Sequence, residues 1–479
     1  MKLWSCPNLL LALIPALVLS ACGRAVPPLH ETPAPDPSIA IVGANLWDGT
    51  GRGPVRNAVT LVRGDRIVCA GAAGECLVPP HARVINAQGR WLIPGLIDTH
   101  VHLLFLTGGS ATEELALDLR DLLAQGVTTV RDMGTNPAEL MRRVSAMSVT
   151  PRVYAMQLVA GRRFFFNGFQ GVRTARGVVF RQPPALTMQS LGWTPVLYNR
   201  GDDADSIVAL ARNAGAMGLK LYAQLDLESV KALVAAAHRA GMPVWGHGWV
   251  QPASALEQAL AGQDGVVHAA GFAGELFSPE ERDTLVMDGS LQMATAEVAT
   301  VGSAHDPRIG AALDSMARHG TMFEPTLDAT SHSVAYFNAK TRHIPSEQEE
   351  YVRAASGFGM EITREAVRHG VRISAGSDHV AYGPVSERAS LFGELRLLVD
   401  SIGLTPAAAL LAATRDAARA IGGEPGHRLG IIEAGRYADL LLLAKNPLSD
   451  VENLDSVEWI MKAGQIWRPE QLRSGIAMR

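Results

Sequence analysis

Two histidines separated by one valine, His100 and His102, stand at the end of the apolar run "WLIPGLIDTHVHL" (residues 91–103). Side chains two apart on a strand point the same way, so both imidazoles face one side if this run is extended. Two imidazoles aimed at one spot suit a zinc-type ion. Alone the spacing is a weak signal. Its weight comes from residues that close other short apolar runs: Lys220 in "GLKLY", His247 in "VWGHG", His268 in "VVHAA" and Asp378 in "SAGSD". The remaining histidines act as an internal control. His238, His319 and His369 stand close before a glycine at predicted helix ends, where a cation complements the helix dipole and glycine caps the turn. His30, His81, His305, His332, His343 and His427 fall in loop-like segments, and His379, directly after Asp378, is expected to line the site without binding metal.

Four histidines and one aspartate could hold one divalent ion or two. A lysine ammonium offers donors and no acceptor. Carbamylated by carbon dioxide, it would present two oxygens able to bridge metals about 3.5–4 Å apart. In that arrangement His100, His102 and Asp378 hold one ion, His247 and His268 the other, and Lys220 joins both. A shared hydroxide would then be acidic enough to attack a carbonyl at neutral pH. Asp378 could take its proton and pass it to the leaving group. The competing reading of Lys220, a solvent-facing or salt-bridged side chain, fits poorly with a lysine inside an apolar strand.

Gathering these residues around one cavity requires many strand ends to meet. Short apolar strands are predicted at "GLIDTHVHL", "VTTVRDM", "RVYAMQLVA", "GLKLYA", "MPVWGHG", "GVVHAAG", "TMFEPTL" and "VRISAGSD". Helical stretches such as "DLESVKALVAAAHRAG" lie between most of them, with Leu and Ala at helical spacing and a glycine stop. The alternation predicts an α/β fold, a (β/α)8 TIM-like barrel with its site at the carboxyl ends of the strands. A doubly wound sheet would ordinarily place a glycine-rich phosphate turn after its first strand, and none is present there. Both flanks read differently: 39–93 and 424–479 are successions of short strands split by Gly, Asp and Asn. They predict a small β-sandwich domain built from both termini, bracketing a barrel over 94–423.

Composition bounds the rest. The 479 residues are 47% hydrophobic and 19% charged, with a net charge of −4 and no long charged block, so a well-buried globular enzyme is expected and nucleic acid is not. Residues 1–22 read as a targeting segment, with Lys2 as its charge and "LLLALIPALVLS" as its apolar stretch, too short for a comfortable span of about 20 residues. "Leu19-Ser20-Ala21-Cys22" resembles the bacterial lipobox, which implies lipidation of Cys22, export, membrane anchoring and an extracytoplasmic location. A Pro-rich tether follows over 23–38. Export permits disulfides. Cys69 and Cys76 flank "AGAAGE", which predicts two sulfurs facing each other across a hairpin, against the alternative of two reduced, half-buried thiols.

Taken together, "LIPGLIDTHVHL", "GLKLY", "VVHAA", "SAGSD" and the terminal "GIIEAGRYADLLLLAKNPL" resemble the amidohydrolase superfamily, in order and over nearly the whole mature chain. The pattern looks most like the branch of imidazolonepropionase relatives that includes Xaa-Pro dipeptidases and amidases of N-acyl amino acids. The resemblance implies two zinc ions, carboxylation of Lys220 by CO2, and the ligand positions already named. One departure stands out: after the third strand the branch often carries a Gly- and His-bearing loop, and this chain has "AGRRFFFNGFQGVRTARGVVFRQPP". Arg162 and Arg163 could fork onto a substrate carboxylate, with Phe164, Phe165 and Phe166 walling an apolar pocket; the alternative is a surface loop packing its own aromatics. Tyr222, two residues past Lys220, would face the lumen and bind the scissile carbonyl or a substrate carboxylate. The leading expectation is therefore a lipid-anchored dinuclear amide hydrolase acting on dipeptides or N-acyl amino acids. A mononuclear cyclic-amide hydrolase or deaminase, and a non-catalytic ligand-binding lipoprotein, are the alternatives. The expected partners are a small-molecule or peptide substrate and the membrane, with room left for a homo-oligomer.

Overall fold

The computed structural model describes residues 38–104, 112–161, 173–174, 177–178, 195–284, 302–332, 346–380 and 388–474. Cys22 with its leader, and Arg162, Arg163 and the three phenylalanines after them, lie outside the described residues. In chain order the first strands are β1 (Ser38–Leu46), β2 (Val55–Arg63), β3 (Arg66–Ala72), β4 (Arg83–Asn86) and β5 (Trp91–Pro94). They are followed by β6 (Leu96–His102), β7 (Val127–Asp132) and β8 (Arg152–Gly161). A minimal hairpin, β9 (Arg173–Thr174) and β10 (Gly177–Val178), and β11 (Val196–Tyr198) come next. Then follow β12 (Gly218–Leu221), β13 (Val244–His247), β14 (Gly265–Val267), β15 (Met322–Glu324) and β16 (His379–Val380). The chain closes with β17 (Leu440–Leu443), β18 (Val457–Lys462) and β19 (Gln465–Trp467).

Strands β7, β12, β13, β14 and β15 are buried along their whole length, as strands of a parallel sheet covered on both faces should be. Parallel pairing runs β6–β7–β8–β12–β13–β14–β15. The ring is completed through 371–380. Phe323 donates to the Arg372 carbonyl and accepts from the Ser374 amide, each at 2.9 Å, and the Thr99 amide donates to the Ala375 carbonyl at 3.2 Å. The architecture is a TIM-like barrel. Its eighth member departs from the regular strand expected at "VRISAGSD": only Ile373 forms a bridge, to Phe323, and pairing with β6 resumes at β16.

Helices separate most of these strands, and their boundaries follow local chemistry. Asp226 accepts from the Ser229 amide at 2.8 Å and caps Leu227–Arg239, whose Val230, Leu233, Val234 and Ala237 are buried. His238 and His319 fall in the last turns of their helices, and His369 directly follows Ser346–Arg368. Gly320 ends one of those helices at φ 76°, a left-handed stop open to glycine.

Strands from both ends of the chain share one sheet in the order β19–β18–β17–β5–β1–β2–β3, with β4 beside β1. Alternation along a strand explains how it serves two cores at once. Leu440 and Leu442 of β17 pack with Ile41, Leu46, Val62, Ile67, Leu92 and Met461. Leu441 and Leu443 pack with Ile93, Ile460, Leu123 and Val127 on the barrel side. Cys69 and Cys76 are disulfide-bonded, with Cα atoms 6.0 Å apart. Cys76 lies in a turn beyond the end of β3, so the bond closes a turn at one strand's end and does not cross a hairpin. No helix among the described residues is long and apolar enough to span a membrane.

Candidate active site

The strand ends named from sequence converge. His100 and His102 lie on β6, Lys220 on β12 and His247 at the end of β13. His268 directly follows β14 and Asp378 directly precedes β16. His100 Nε2 and His102 Nε2 are 3.3 Å apart, and they lie 3.3 and 3.1 Å from Asp378 Oδ1. Among the described residues these three form the group whose ligand atoms all fall within 4.8 Å of one another. The His268 ring is centred 4.9 Å from His100 and 4.5 Å from His247, with its Nδ1 3.8 Å from Asp378 Oδ2. His268 and Asp378 both adopt positive φ, 67° and 55°, conformations that side chains with a Cβ take only when their surroundings hold them.

Burial sets the electrostatics. It drives the imidazoles of His100, His247 and His268 well below the usual range, and the nearby Lys220 pushes each the same way. All three are therefore neutral, with lone pairs to give. Burial alone would raise the Asp378 carboxyl, yet His100, His102 and His268 hold it far below the carboxylate range. Lys220 is 1% exposed, and burial brings its amine down to about 7. Its Nζ has no hydrogen-bond partner among the described residues, and neither does His247 Nδ1. Buried polar atoms are seldom left unpaired. Neutral imidazoles, a carboxylate and an unpartnered amine are a donor set suited to divalent metal. The Tyr222 ring packs 4.3 Å from His247, and burial pushes its phenol up, so it stays a hydrogen-bond donor.

His379 differs from expectation. Its Nε2 lies 3.0 Å from Asp118 Oδ1 and its Nδ1 3.0 Å from the Ala389 carbonyl, so both nitrogens are engaged away from the ligand group. It braces the turn that carries Asp378.

Three charged residues escaped the sequence reading although each sits within an apolar strand. Asp98 accepts from the Ser377 hydroxyl (2.5 Å), the Ser377 amide (3.0 Å) and the His100 amide (3.1 Å), tying β6 to the turn before Asp378. Burial raises its carboxyl to about 6. Glu324, at the end of β15, lies 2.7 Å from His100 Nδ1, and Arg131 of β7 lies 2.9 Å from its other oxygen. A charge inside "GLIDTHVHL", "VTTVRDM" or "TMFEP" was the available signal.

Known proteins resemble this chain in sequence and in fold. The sequence profile described as "Amidohydrolase family" matches residues 91–467. An imidazolonepropionase from Symbiobacterium thermophilum is 27% identical over 413 residues, 80% of this chain and 82% of that protein. An ochratoxinase from Aspergillus niger is 24% identical over 481 aligned positions, covering 92% and 89%. Among solved structures, a Xaa-Pro dipeptidase with bound methionine in the active site superposes with a TM-score of 0.65 at 20% identity, covering 90% of this chain and 99% of that one.

Proposed function

The chain belongs to the amidohydrolase family, hydrolases of carbon–nitrogen bonds, and from that premise we propose that it is a dinuclear metal enzyme cleaving an amide bond in dipeptides or N-acyl amino acids. The observation that carries this reading is the Lys220 amine, buried and without a hydrogen-bond partner among the described residues, beside a set of neutral imidazoles. A lone buried amine is costly. Addition of CO2 to its nitrogen, with loss of one proton, turns it into a carbamate with two acceptor oxygens. His100, His102 and Asp378 would hold one ion, His247 and His268 the other, and carboxylated Lys220 both. Two such ions, most simply zinc, supply Lewis acidity and a water acidified to the neutral range.

The chain's own residues do the rest. Asp378 stays ionised and can accept a proton at its carboxylate, then return it to the departing nitrogen. Tyr222 offers its phenolic O–H to the substrate carbonyl or carboxylate, and Arg162 with Arg163 would pair with a terminal carboxylate. A second reading, a mononuclear cyclic-amide hydrolase, is favoured by the convergence, among the described residues, of His100, His102 and Asp378 within 4.8 Å and by the likeness to imidazolonepropionases. Metal content per chain separates the two. About two ions, with turnover of dipeptides or N-acyl amino acids, supports the first; one ion with turnover of a cyclic amide replaces it with the second.

We also propose that Cys22 carries a lipid anchor that holds the enzyme on the outer side of a membrane, as the lipobox-like "LSAC" and the Cys69–Cys76 bond support. Cys22→Ser should release it in soluble form, and retention in the membrane fraction would end that reading. The sheet shared by both termini is read as the β-sandwich domain over 39–93 and 424–479, and a homo-oligomer is proposed for solution.

A further inference from the structure

We propose that Glu324 is a positioning residue that fixes the tautomer of His100, so that the Nε2 lone pair of this ligand faces His102 and Asp378. The inference rests on the reading of His100 as a metal ligand. It begins with an asymmetry in how the carboxylate is used. Glu324 Oε2 accepts from Arg131 Nη2 at 2.9 Å and from the Thr99 hydroxyl. Oε1 faces His100 Nδ1 at 2.7 Å. Two donors on the far oxygen keep the carboxylate an acceptor, so the hydrogen between Oε1 and Nδ1 belongs to the imidazole. A neutral imidazole with its proton on Nδ1 presents a lone pair at Nε2, the atom 3.3 Å from both His102 Nε2 and Asp378 Oδ1.

The surroundings hold Glu324 in one place. Arg131 is itself fixed, donating from Nε to the Thr99 carbonyl at 2.8 Å and from Nη1 to the Ala420 carbonyl at 2.7 Å, with its guanidinium 4.1 Å from the Trp245 ring. Glu324 and Arg131 are both 0% exposed. Gly376 has no side chain where one would meet both partners: a Cβ there would stand 2.7 Å from Glu324 Cδ and from His100 Cβ. The same residue reaches a second proposed ligand, since the Glu324 carbonyl accepts the His268 amide at 2.9 Å.

The test is Glu324→Gln in the full-length protein. Arg131 and Thr99 are donors, so they select the amide carbonyl, and the amide NH2 turns toward His100 Nδ1. Nδ1 then becomes the acceptor and the proton moves to Nε2. Zinc is titrated against a chromophoric chelator, and histidine tautomers are read from 15N spectra of the metal-free protein, with the His100 signal assigned by its loss in His100→Gln. The expected result is a proton on Nδ1 in the parent, on Nε2 in Glu324→Gln, and zinc affinity weaker by about 10–100-fold. A purely structural role would lower the melting temperature and leave the tautomer in place. Zinc affinity within twofold of the parent in folded Glu324→Gln overturns the inference. If that variant does not fold, the parent spectrum decides: a proton on Nε2 overturns it, one on Nδ1 upholds it. A parent that binds no zinc removes the ligand reading of His100 and this inference together, whereas a zinc-binding parent with its proton on Nε2 removes this inference alone.

Discussion

At the scale of single residues, the site works by denying water to groups that would rather be charged. His100, His247 and His268 are kept neutral by burial, and Lys220 loses its preference for the ammonium for the same reason. The Asp378 carboxyl goes the other way and is held low, within reach of His100, His102 and His268. Lys220→Ala removes the amine that CO2 would modify. Bound metal should fall to half the parent's content or less, and amide hydrolysis by at least about 100-fold, the scale seen when one charge-stabilising group is lost. Metal analysis beside an activity assay checks this; a fully metallated, fully active variant would remove Lys220 from the centre. His102, His247 and the others were visible in sequence because a polar residue at the end of an apolar run is unusual there. Glu324 ends such a run, whereas Asp98 and Arg131 lie inside theirs, and neither a carboxylate two residues before a ligand nor an arginine within a strand forms a ligand spacing by itself.

Elements position those residues with few degrees of freedom. The irregular stretch 371–378 must come close enough to β6 for Asp378 to meet His100, and Gly376 provides the clearance. Gly376→Ala should cost about 1–3 kcal/mol, as over-packing does, and should weaken metal retention; thermal unfolding with and without zinc measures both. A different element offers a separate pH signature. In the helical turn 327–332, His332 Nδ1 lies 3.2 Å from Asp328 Oδ1, and that bond raises the imidazole to about 9. A folded-state value above the ordinary 6.5 means that the pairing stabilises fully below about pH 6.5 and is lost as pH rises through about 9. His332→Gln should therefore melt below the parent at pH 6 and together with it at pH 10, by scanning calorimetry. A gap that persists at pH 10 would assign the effect to packing.

The whole molecule is held together where the terminal sheet meets the barrel. Arg152 of β8 pairs with Asp439 at 2.7 Å while its guanidinium stacks 3.6 Å from the Tyr437 ring, and Arg66 lies 4.1 Å from the same ring. Asp439 also accepts the Ala463 amide at 2.7 Å. Removing one partner of a largely buried pair leaves a charge without compensation. Asp439→Ala should therefore destabilise by about 3 kcal/mol and lower the melting temperature of sheet and barrel together. Denaturant unfolding followed by two probes tests that coupling, and an unchanged midpoint would show the pair to be dispensable.

Sequence alone determined the alternation of strands and helices, the polar residues at the strand ends, and the two β-rich flanks, because each is a local pattern of period or of composition. It also separated helix-end histidines from strand-end histidines, since caps and dipoles act within one turn. Tertiary structure decided what depends on distance between remote segments. His100 and Asp378 come together only because 371–380 lies between β15 and β6. His379 turns to Asp118 only because the helix Thr112–Ala124 lies behind it. Cys76 meets Cys69 from a turn and not from a paired strand. Glu324 becomes the partner of His100 by closure of the barrel, a contact across 224 residues of chain. Period and spacing carry no record of such a meeting, because the free energy that selects it comes from burial shared among segments distant in sequence.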